Sequence, residues 1–135
     1  MAESITDKEA YEHCLFNLLQ WLHVMTLQPV ELCNAWGNYN VAWELVNDLK
    51  TDGNCTITMP CSSLTGGQKK MVEDFLDSLN KIPKALLVSA TSVSANQEAM
   101  SHPCWLPYRE SAAALLLELE AVASRNKEYF YPNQP

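Results

Sequence analysis

A histidine and a cysteine on either side of Pro103 are the pair in this chain best suited by type to nucleophilic chemistry. His102 and Cys104 are two positions apart, and a thiol needs a neighbouring base or positive charge to react as a thiolate. His13 and Cys14 are adjacent in a predicted helix, where successive side chains point about 100° apart, so they are poorly placed to pair. A buried thiol beside a histidine that ends a helix explains His102 and Cys104 more simply. We therefore expect no enzyme, and a hydrolase-like site at these two residues is the third hypothesis for function.

Two other patterns resemble ligand sites but lack essential parts. The chain has five cysteines without a repeating spacing, namely Cys14, Cys33, Cys55, Cys61 and Cys104. There is also no His-Glu-x-x-His sequence, so we predict no metal site. The segment Thr65-Gly66-Gly67-Gln68-Lys69-Lys70 places glycines and lysines at a predicted helix start, where an anion can bind. It lacks the spacing of a phosphate-binding loop, so we interpret it as a capping box and predict no cofactor.

The elements that would position these residues are helices, because apolar residues recur at helical spacing along most of the chain and strand-like segments are nearly absent. The first predicted helix is Asp7–Thr26, with a capping box at Thr6-Asp7-Lys8-Glu9, and the second is Val30–Trp36. The third runs from Asn38 or Asn40 to Lys50, and the fourth from Thr65 to Asn80. The fifth opens with a capping box at Ser94 and ends before Pro103, and the last begins at Pro107. We expect an all-α, single-domain bundle of five to six helices over residues 1–135. Short connections make neighbouring helices mostly antiparallel.

Two segments lack a clear helical pattern. Asp52 and Gly53 are typical of a helix end, and the residues that follow are the least helical part of the chain. We therefore expect one irregular segment around 54–64. Residues 84–93 contain apolar side chains that suit the core in either a helix or a strand, so the sequence leaves their conformation open.

Helical projection identifies three large apolar residues that lie off the apolar stripes of their helices. Trp43 lies roughly 130° from the centre of its stripe, Phe16 falls within the polar arc of the first helix, and Leu117 faces away from the stripe of the last helix. Each residue either packs against a second neighbouring helix or is exposed as part of a binding surface. Packing is the simpler explanation for Phe16 and for Leu117, whereas Trp43 suits both explanations equally.

Trp43 therefore marks the strongest candidate for a binding surface, since tryptophan is enriched at the centres of protein interfaces. Glu44 and Asp48 occupy successive turns beside it, and like charges at this spacing destabilise a helix by a few tenths of a kcal/mol. No lysine at the matching spacing relieves this pair. An acidic stripe beside an aromatic residue suits a basic partner. We predict a protein-binding face formed by Asn40, Trp43, Glu44, Asn47 and Asp48.

The charge of the chain restricts its partners. Acidic residues outnumber basic ones by 16 to 9, and the formal net charge is −7. Such a field repels phosphate, so we predict no nucleic-acid partner. The start of the chain lacks the layout of a secretory signal, and no apolar run approaches the roughly 20 residues that a membrane span needs. We expect a cytoplasmic protein with no membrane partner and with reduced cysteines.

The segment Ala35-Trp36-Gly37-Asn38-Tyr39-Asn40-Val41-Ala42-Trp43-Glu44 resembles a run found in small bacterial proteins of unknown function. In its small size, its acidity and its lack of a signal or catalytic groups, the chain also resembles the immunity proteins of bacterial toxin systems. That resemblance implies a helical inhibitor that binds a basic toxin domain stoichiometrically, over its active site or beside it. It carries over no site residue. The alternative hypothesis is a helical adaptor or regulatory protein that binds a partner peptide or a small ligand.

Overall fold

Helices form all of the regular secondary structure in the part of the chain that the structure describes. The computed structural model describes residues 2–28, 31, 40–60, 62–88 and 92–132, of which 85% are helical and none forms a strand. The elements are α1 (Ala2–Thr26), α2 (Val41–Thr58), α3 (Gly66–Ser78), the 3-10 turn η1 (Leu79–Lys81), α4 (Lys84–Val88), α5 (Val93–Met100), the 3-10 turn η2 (Pro103–Trp105), α6 (Leu106–Glu118) and α7 (Glu120–Phe130).

The all-α class is thus confirmed, but seven α-helices in the described ranges replace the predicted five to six. One of the additional helices is α4, which resolves the open conformation of residues 84–88. The predicted helix Val30–Trp36 lies outside the described residues, apart from Glu31. Within the described ranges, no helix combines the length and the apolar character needed to cross a membrane.

α1 is the central helix and packs against α2, α6 and α7. Its buried stripe has the predicted helical spacing and consists of Tyr11, Leu15, Leu18, Leu22 and Met25. Buried side chains of α2, α3, α6 and α7 join this stripe in one hydrophobic core. The predicted capping box at Thr6-Asp7-Lys8-Glu9 is wrong, because α1 already begins at Ala2.

α2 continues through Gly53, where the sequence pattern predicted its end. Gly53 is buried, and a Cβ atom at this position would lie 2.7 Å from Cδ1 of Leu76. The glycine therefore serves the close packing of α2 against α3 rather than a helix end. In the last turns of α2, the hydroxyl groups of Thr56 and Thr58 donate to the carbonyl oxygens four residues earlier. The prediction of an irregular segment is wrong for residues 54–58 and holds for the described residues between Met59 and Thr65.

Replacing Gly53 with valine should lower the free energy of unfolding by about 2 kcal/mol, because the branched side chain would overfill the contact with Leu76. Urea denaturation measures this change. Gly66 provides the matched control, since nothing lies within 4 Å of a Cβ atom there. Gly66→Val should change stability by at most about 0.5 kcal/mol. Equal losses in the two variants would contradict the close approach of α2 and α3.

Side-chain caps define two further helix starts. The predicted capping box of α3 is confirmed, because Oγ1 of Thr65 accepts from the Gln68 N–H at 3.1 Å and Oε1 of Gln68 accepts from the Thr65 N–H at 2.9 Å. The cap of α5 is Ser92 rather than the predicted Ser94. Asn96, from the predicted box, instead accepts from the backbone N–H of the first residue of α2 at 3.0 Å. The sequence pattern therefore predicted this helix but placed its cap two residues too late in the chain.

The predicted helix beginning at Pro107 consists of two helices. α6 begins one residue earlier, directly after η2, and the chain departs from helical geometry at the buried Leu119 before α7 begins. Trp105 anchors the start of α6, because its ring is fully buried and its Nε1 donates to the carbonyl oxygen of Ala99 at 2.8 Å. The indole thus joins the end of α5 to the start of α6.

A disulfide bond joins α1 to α2. It connects Cys14 and Cys55, whose Cα atoms are 6.0 Å apart. The prediction of reduced cysteines is therefore wrong for these two residues, whereas Cys104 has a free thiol. The spacing of the cysteines gave no sign of this pairing, because it depends on the side-by-side packing of two helices.

Candidate functional site

The predicted binding face lies on the side of α2 that points away from the core. Trp43 is 46% exposed, Asn47 is exposed, and Glu44 and Asp48 are half-buried. The opposite side of the helix supplies the buried residues Val41, Ala42, Leu45, Val46 and Leu49. We use the term α2 face for Trp43, Glu44, Asn47 and Asp48, which helical geometry places together over successive turns.

Asn40, the fifth residue of the predicted face, holds the start of α2 in place. Its Oδ1 accepts from the backbone N–H of Trp43 at 3.1 Å, and its Nδ2 donates to the carbonyl oxygen of Leu87 at 2.7 Å. The side chain therefore caps α2 and ties it to α4. We interpret Asn40 as a residue that positions the α2 face and that has its hydrogen-bonding groups engaged within the chain.

Asp52 extends the acidic side of α2, and the sequence analysis missed it. Glu44, Asp48 and Asp52 follow one another at four-residue spacing along the helix, and we call these three residues the acidic row. Oδ2 of Asp52 accepts from Nε1 of Trp21 on α1 at 2.8 Å. The repeated spacing was visible in the sequence, but the incorrect helix end at Asp52 and Gly53 excluded Asp52 from consideration.

Repulsion within the acidic row is not relieved from within α2. The pKa of Asp48 is raised, first because burial disfavours its ionised form and then because Glu44 and Asp52 lie nearby. Lys50 is the only basic residue of α2, and its Nζ donates to Oδ1 of Asn80 at 2.6 Å. A positive charge brought by a partner would lower the pKa of Asp48 and remove the repulsion.

Replacing Asp48 with asparagine should raise the melting temperature at neutral pH. Because the pKa of Asp48 is higher in the folded than in the unfolded chain, ionisation of this group destabilises the fold as pH rises from the ordinary value of 3.8 through the raised value. Below 3.8 the carboxyl group is protonated in both states, so the difference between variant and wild type should vanish there. Thermal unfolding of both proteins across this range measures the effect. A variant less stable than the wild type at neutral pH would contradict the raised pKa of Asp48.

The His102 and Cys104 pair does not have the geometry of an activated thiol. Nδ1 of His102 accepts from the backbone N–H of Cys104 at 3.0 Å, so this ring nitrogen caps η2. Burial raises the pKa of the Cys104 thiol, and the positive charge of Arg109 offsets only part of that increase. Since the thiolate is the reactive form, the surroundings of Cys104 disfavour the chemistry of the third hypothesis.

The helix start at Thr65 likewise uses its polar groups within the chain. The capping box engages Thr65 and Gln68, and Nζ of Lys70 lies 3.0 Å from Oδ1 of Asp74. Both contacts fit the interpretation of this segment as a capping box, and neither indicates an anion site. Among the residues that the structure describes, no three His, Cys, Asp or Glu side chains are grouped to hold a metal ion.

The other two off-stripe residues have different surroundings. Phe16 packs edge-to-face against Phe130 with ring centroids 5.4 Å apart, which confirms the predicted contact with a second helix. Leu117 is 72% exposed, so the prediction that it is buried is wrong. Its helix is covered on the other side by α1 and α3, and no further element of the described chain lies over Leu117.

Two grooves open between neighbouring helices of the described chain. The α1–α7 groove has a volume of about 380 Å³ and lies beside Phe16, with Ala123 and Tyr131 on the opposite side. The α3–α6 groove has a volume of about 320 Å³ and lies between Met71 and Ala114. Both are within the size range of small-ligand sites. The sequence signal for them was the off-stripe position of Phe16 and the row of alanines in α6.

Comparisons of the chain with models of protein families, with curated proteins and with solved structures found no significant match.

Proposed function

We propose that this chain is a protein-binding inhibitor of the immunity type, which neutralises a basic toxin or enzyme domain by stoichiometric binding through the α2 face. The observation that carries the proposal is the exposed ring of Trp43 beside the acidic row. A tryptophan supplies a large apolar contact area at the centre of an interface. Carboxylates around it favour a basic surface over a neutral or acidic one.

Asp48 also suits a basic partner, since its pKa is raised first by burial and then by the neighbouring carboxylates of Glu44 and Asp52. A lysine or arginine placed beside the acidic row would stabilise the ionised carboxylate, so binding would remove a repulsion present in the free protein. The net charge of −7 adds long-range attraction toward a basic partner and speeds association at low salt. A complex formed in this way should weaken as salt is added and as pH falls through the pKa of Asp48.

The alternative function is a helical adaptor or regulatory protein that binds a peptide or a small ligand. The two apolar grooves favour it, since ligand sites combine an apolar lining with a few polar groups. The exposed side chain of Leu117 lies on the same helix as the α3–α6 groove. An adaptor would contact its partner through a groove, whereas an inhibitor would contact it through the α2 face.

A cytoplasmic location remains part of the proposal, and the disulfide is the observation against it. Disulfide bonds persist in oxidising compartments and are rare in the cytosol, and Cys14 and Cys55 form one in this structure. Alkylation of thiols at the moment of lysis, followed by peptide mapping, distinguishes the two locations. Alkylated Cys14 and Cys55 would support the cytoplasm, and a cross-linked peptide would contradict it.

Affinity capture with the tagged chain from its source cells, at low and at high salt, tests the proposed function. The proposal predicts one basic toxin or nuclease-like domain, recovered at near-equal stoichiometry at low salt and lost at high salt. Recovery of an acidic protein, or of a partner that stays bound at high salt, would contradict it and support the adaptor.

A further inference from the structure

The α1–α7 groove has features of a built ligand site and shares no residue with the α2 face. Its wall is fixed by aromatic contacts between the end of α7 and α1. The Phe130 ring on α7 lies 5.4 Å from Phe16 and 4.9 Å from His13, both on α1, measured between ring centroids. These contacts hold the end of α7 against α1 and so fix one wall of the groove.

A buried asparagine supplies the groove with a hydrogen-bond acceptor. Asn126 is only 2% exposed, and its Nδ2 donates to both the backbone carbonyl oxygen and Oε1 of Glu12, each at 2.9 Å. Its Oδ1 has no hydrogen-bond partner among the described residues, and Asn126 lines the groove. Since both groups on Glu12 are acceptors, the amide nitrogen must face them and the oxygen must face away. The orientation of the carboxamide is therefore fixed with its acceptor unused.

A lysine supplies the groove with a positive charge. Lys127 lines the groove beside Asn126, and within the described part of the chain its ammonium group has no ion-pair partner. In a protein with a net charge of −7, an unpaired lysine at the edge of an apolar groove is suited to a ligand carboxylate. Gln20 adds an exposed amide on the α1 side.

The apolar part of the lining suits a flat ring. Phe16 and Tyr131 present aromatic side chains, and Leu19 and Ala123 complete the apolar surface. Aromatic rings pack well in offset or edge-to-face contact with other rings. The volume of about 380 Å³ is at the small end of the range for ligand sites, so it suits one fused ring system rather than an extended molecule.

We propose that the α1–α7 groove binds a small planar aromatic acid that carries an N–H or O–H donor on its ring. The ring packs against Phe16 and Tyr131, the ring donor bonds to Oδ1 of Asn126, and the carboxylate pairs with Lys127. This site is additional to the proposed inhibitor function and does not depend on it.

Titration of the isotope-labelled protein with indoleacetate, followed by backbone amide shifts in NMR spectra, tests the proposal. Saturable shifts are expected within residues 16–20 and 123–131. Naphthaleneacetate lacks the ring donor and methylindole lacks the carboxylate, so each should bind roughly 5-fold more weakly than indoleacetate. Absence of saturable shifts, or shifts centred on α2 or α3, would overturn the site.

Two matched variants test the role of the charge. Lys127→Ala should weaken indoleacetate binding roughly 5-fold and leave methylindole binding unchanged. Arg125→Ala removes the same charge from an exposed position on α7 outside the groove lining, and it should leave both affinities unchanged. Both residues are exposed, so neither substitution threatens folding. Equal effects of the two variants would mean that only net charge matters, and would overturn the pairing with Lys127.

Discussion

Replacement of both Cys14 and Cys55 with alanine should lower the free energy of unfolding by about 4 kcal/mol. The disulfide spans a sequence separation of 41 residues, and cross-linking a loop of that length removes roughly 4 kcal/mol of chain entropy from the unfolded state. It also holds together α1 and α2, the two helices that carry much of the core. Guanidinium denaturation of the oxidised protein measures the loss.

Cys104→Ala is the control for this prediction, because Cys104 is a half-buried free cysteine. It should change stability by less than about 1 kcal/mol. A comparable, small loss in the double variant would contradict the stabilising role of the Cys14–Cys55 bond. Peptide mapping of the wild type without reduction establishes independently that the two cysteines are linked.

Replacing Trp105 with alanine should lower the free energy of unfolding by about 4 kcal/mol, because a fully buried indole is lost and the cavity cannot close completely. The variant also loses the hydrogen bond from Nε1 to the carbonyl oxygen of Ala99, and the edge-to-face contact with Tyr108 at 6.2 Å. Both losses loosen the junction between α5 and α6. Urea denaturation monitored by circular dichroism gives the magnitude.

Trp43→Ala is the matched control, since it is the same substitution at an exposed position on α2. Its expected loss of stability is below about 1 kcal/mol. The pair separates a tryptophan that stabilises the fold from one that is available to a partner. If Trp43→Ala were as destabilising as Trp105→Ala, Trp43 would be a structural residue and the α2 face would lose its central side chain.

Local chemistry predicted the helix starts capped by Thr65 and Asn40, although the same kind of pattern misplaced the starts at Thr6 and Ser94. The capping box at Thr65 and Gln68 and the cap of α2 by Asn40 depend on residues within one turn, and both are present in the structure. Gly53 shows where this reasoning stops. A glycine is typical of a helix end, but here it is buried because Leu76 of another helix lies against it. That contact depends on tertiary packing, which a periodicity argument does not contain.

The candidate site could be predicted in part for the same reason. Helical projection places Trp43 outside the core stripe, and its exposure follows because no element of the described chain covers that side of α2. The same projection correctly placed Leu117 off the stripe of its helix, but the inference that a second helix covers it was wrong, since projection does not tell which neighbours a helix has. Asp52 was missed because the helix was predicted to end at Asp52 and Gly53. The unused acceptor Oδ1 of Asn126 could not be predicted either, because it follows from the hydrogen bonds that Nδ2 donates to Glu12 on another helix.

The most direct test of the proposed inhibitor function is a parallel affinity capture with three tagged proteins: the wild type, Trp43→Ala/Asp48→Ala and Met71→Ala/Asp77→Ala. The second variant is a matched control, because it removes one exposed apolar side chain and one exposed carboxylate from α3. The account predicts that the wild type and the α3 variant recover the same basic partner, and that the α2 variant, still folded, does not. Capture that survives the α2 changes and is lost with the α3 changes would contradict the account, and would assign the partner to the α3–α6 groove.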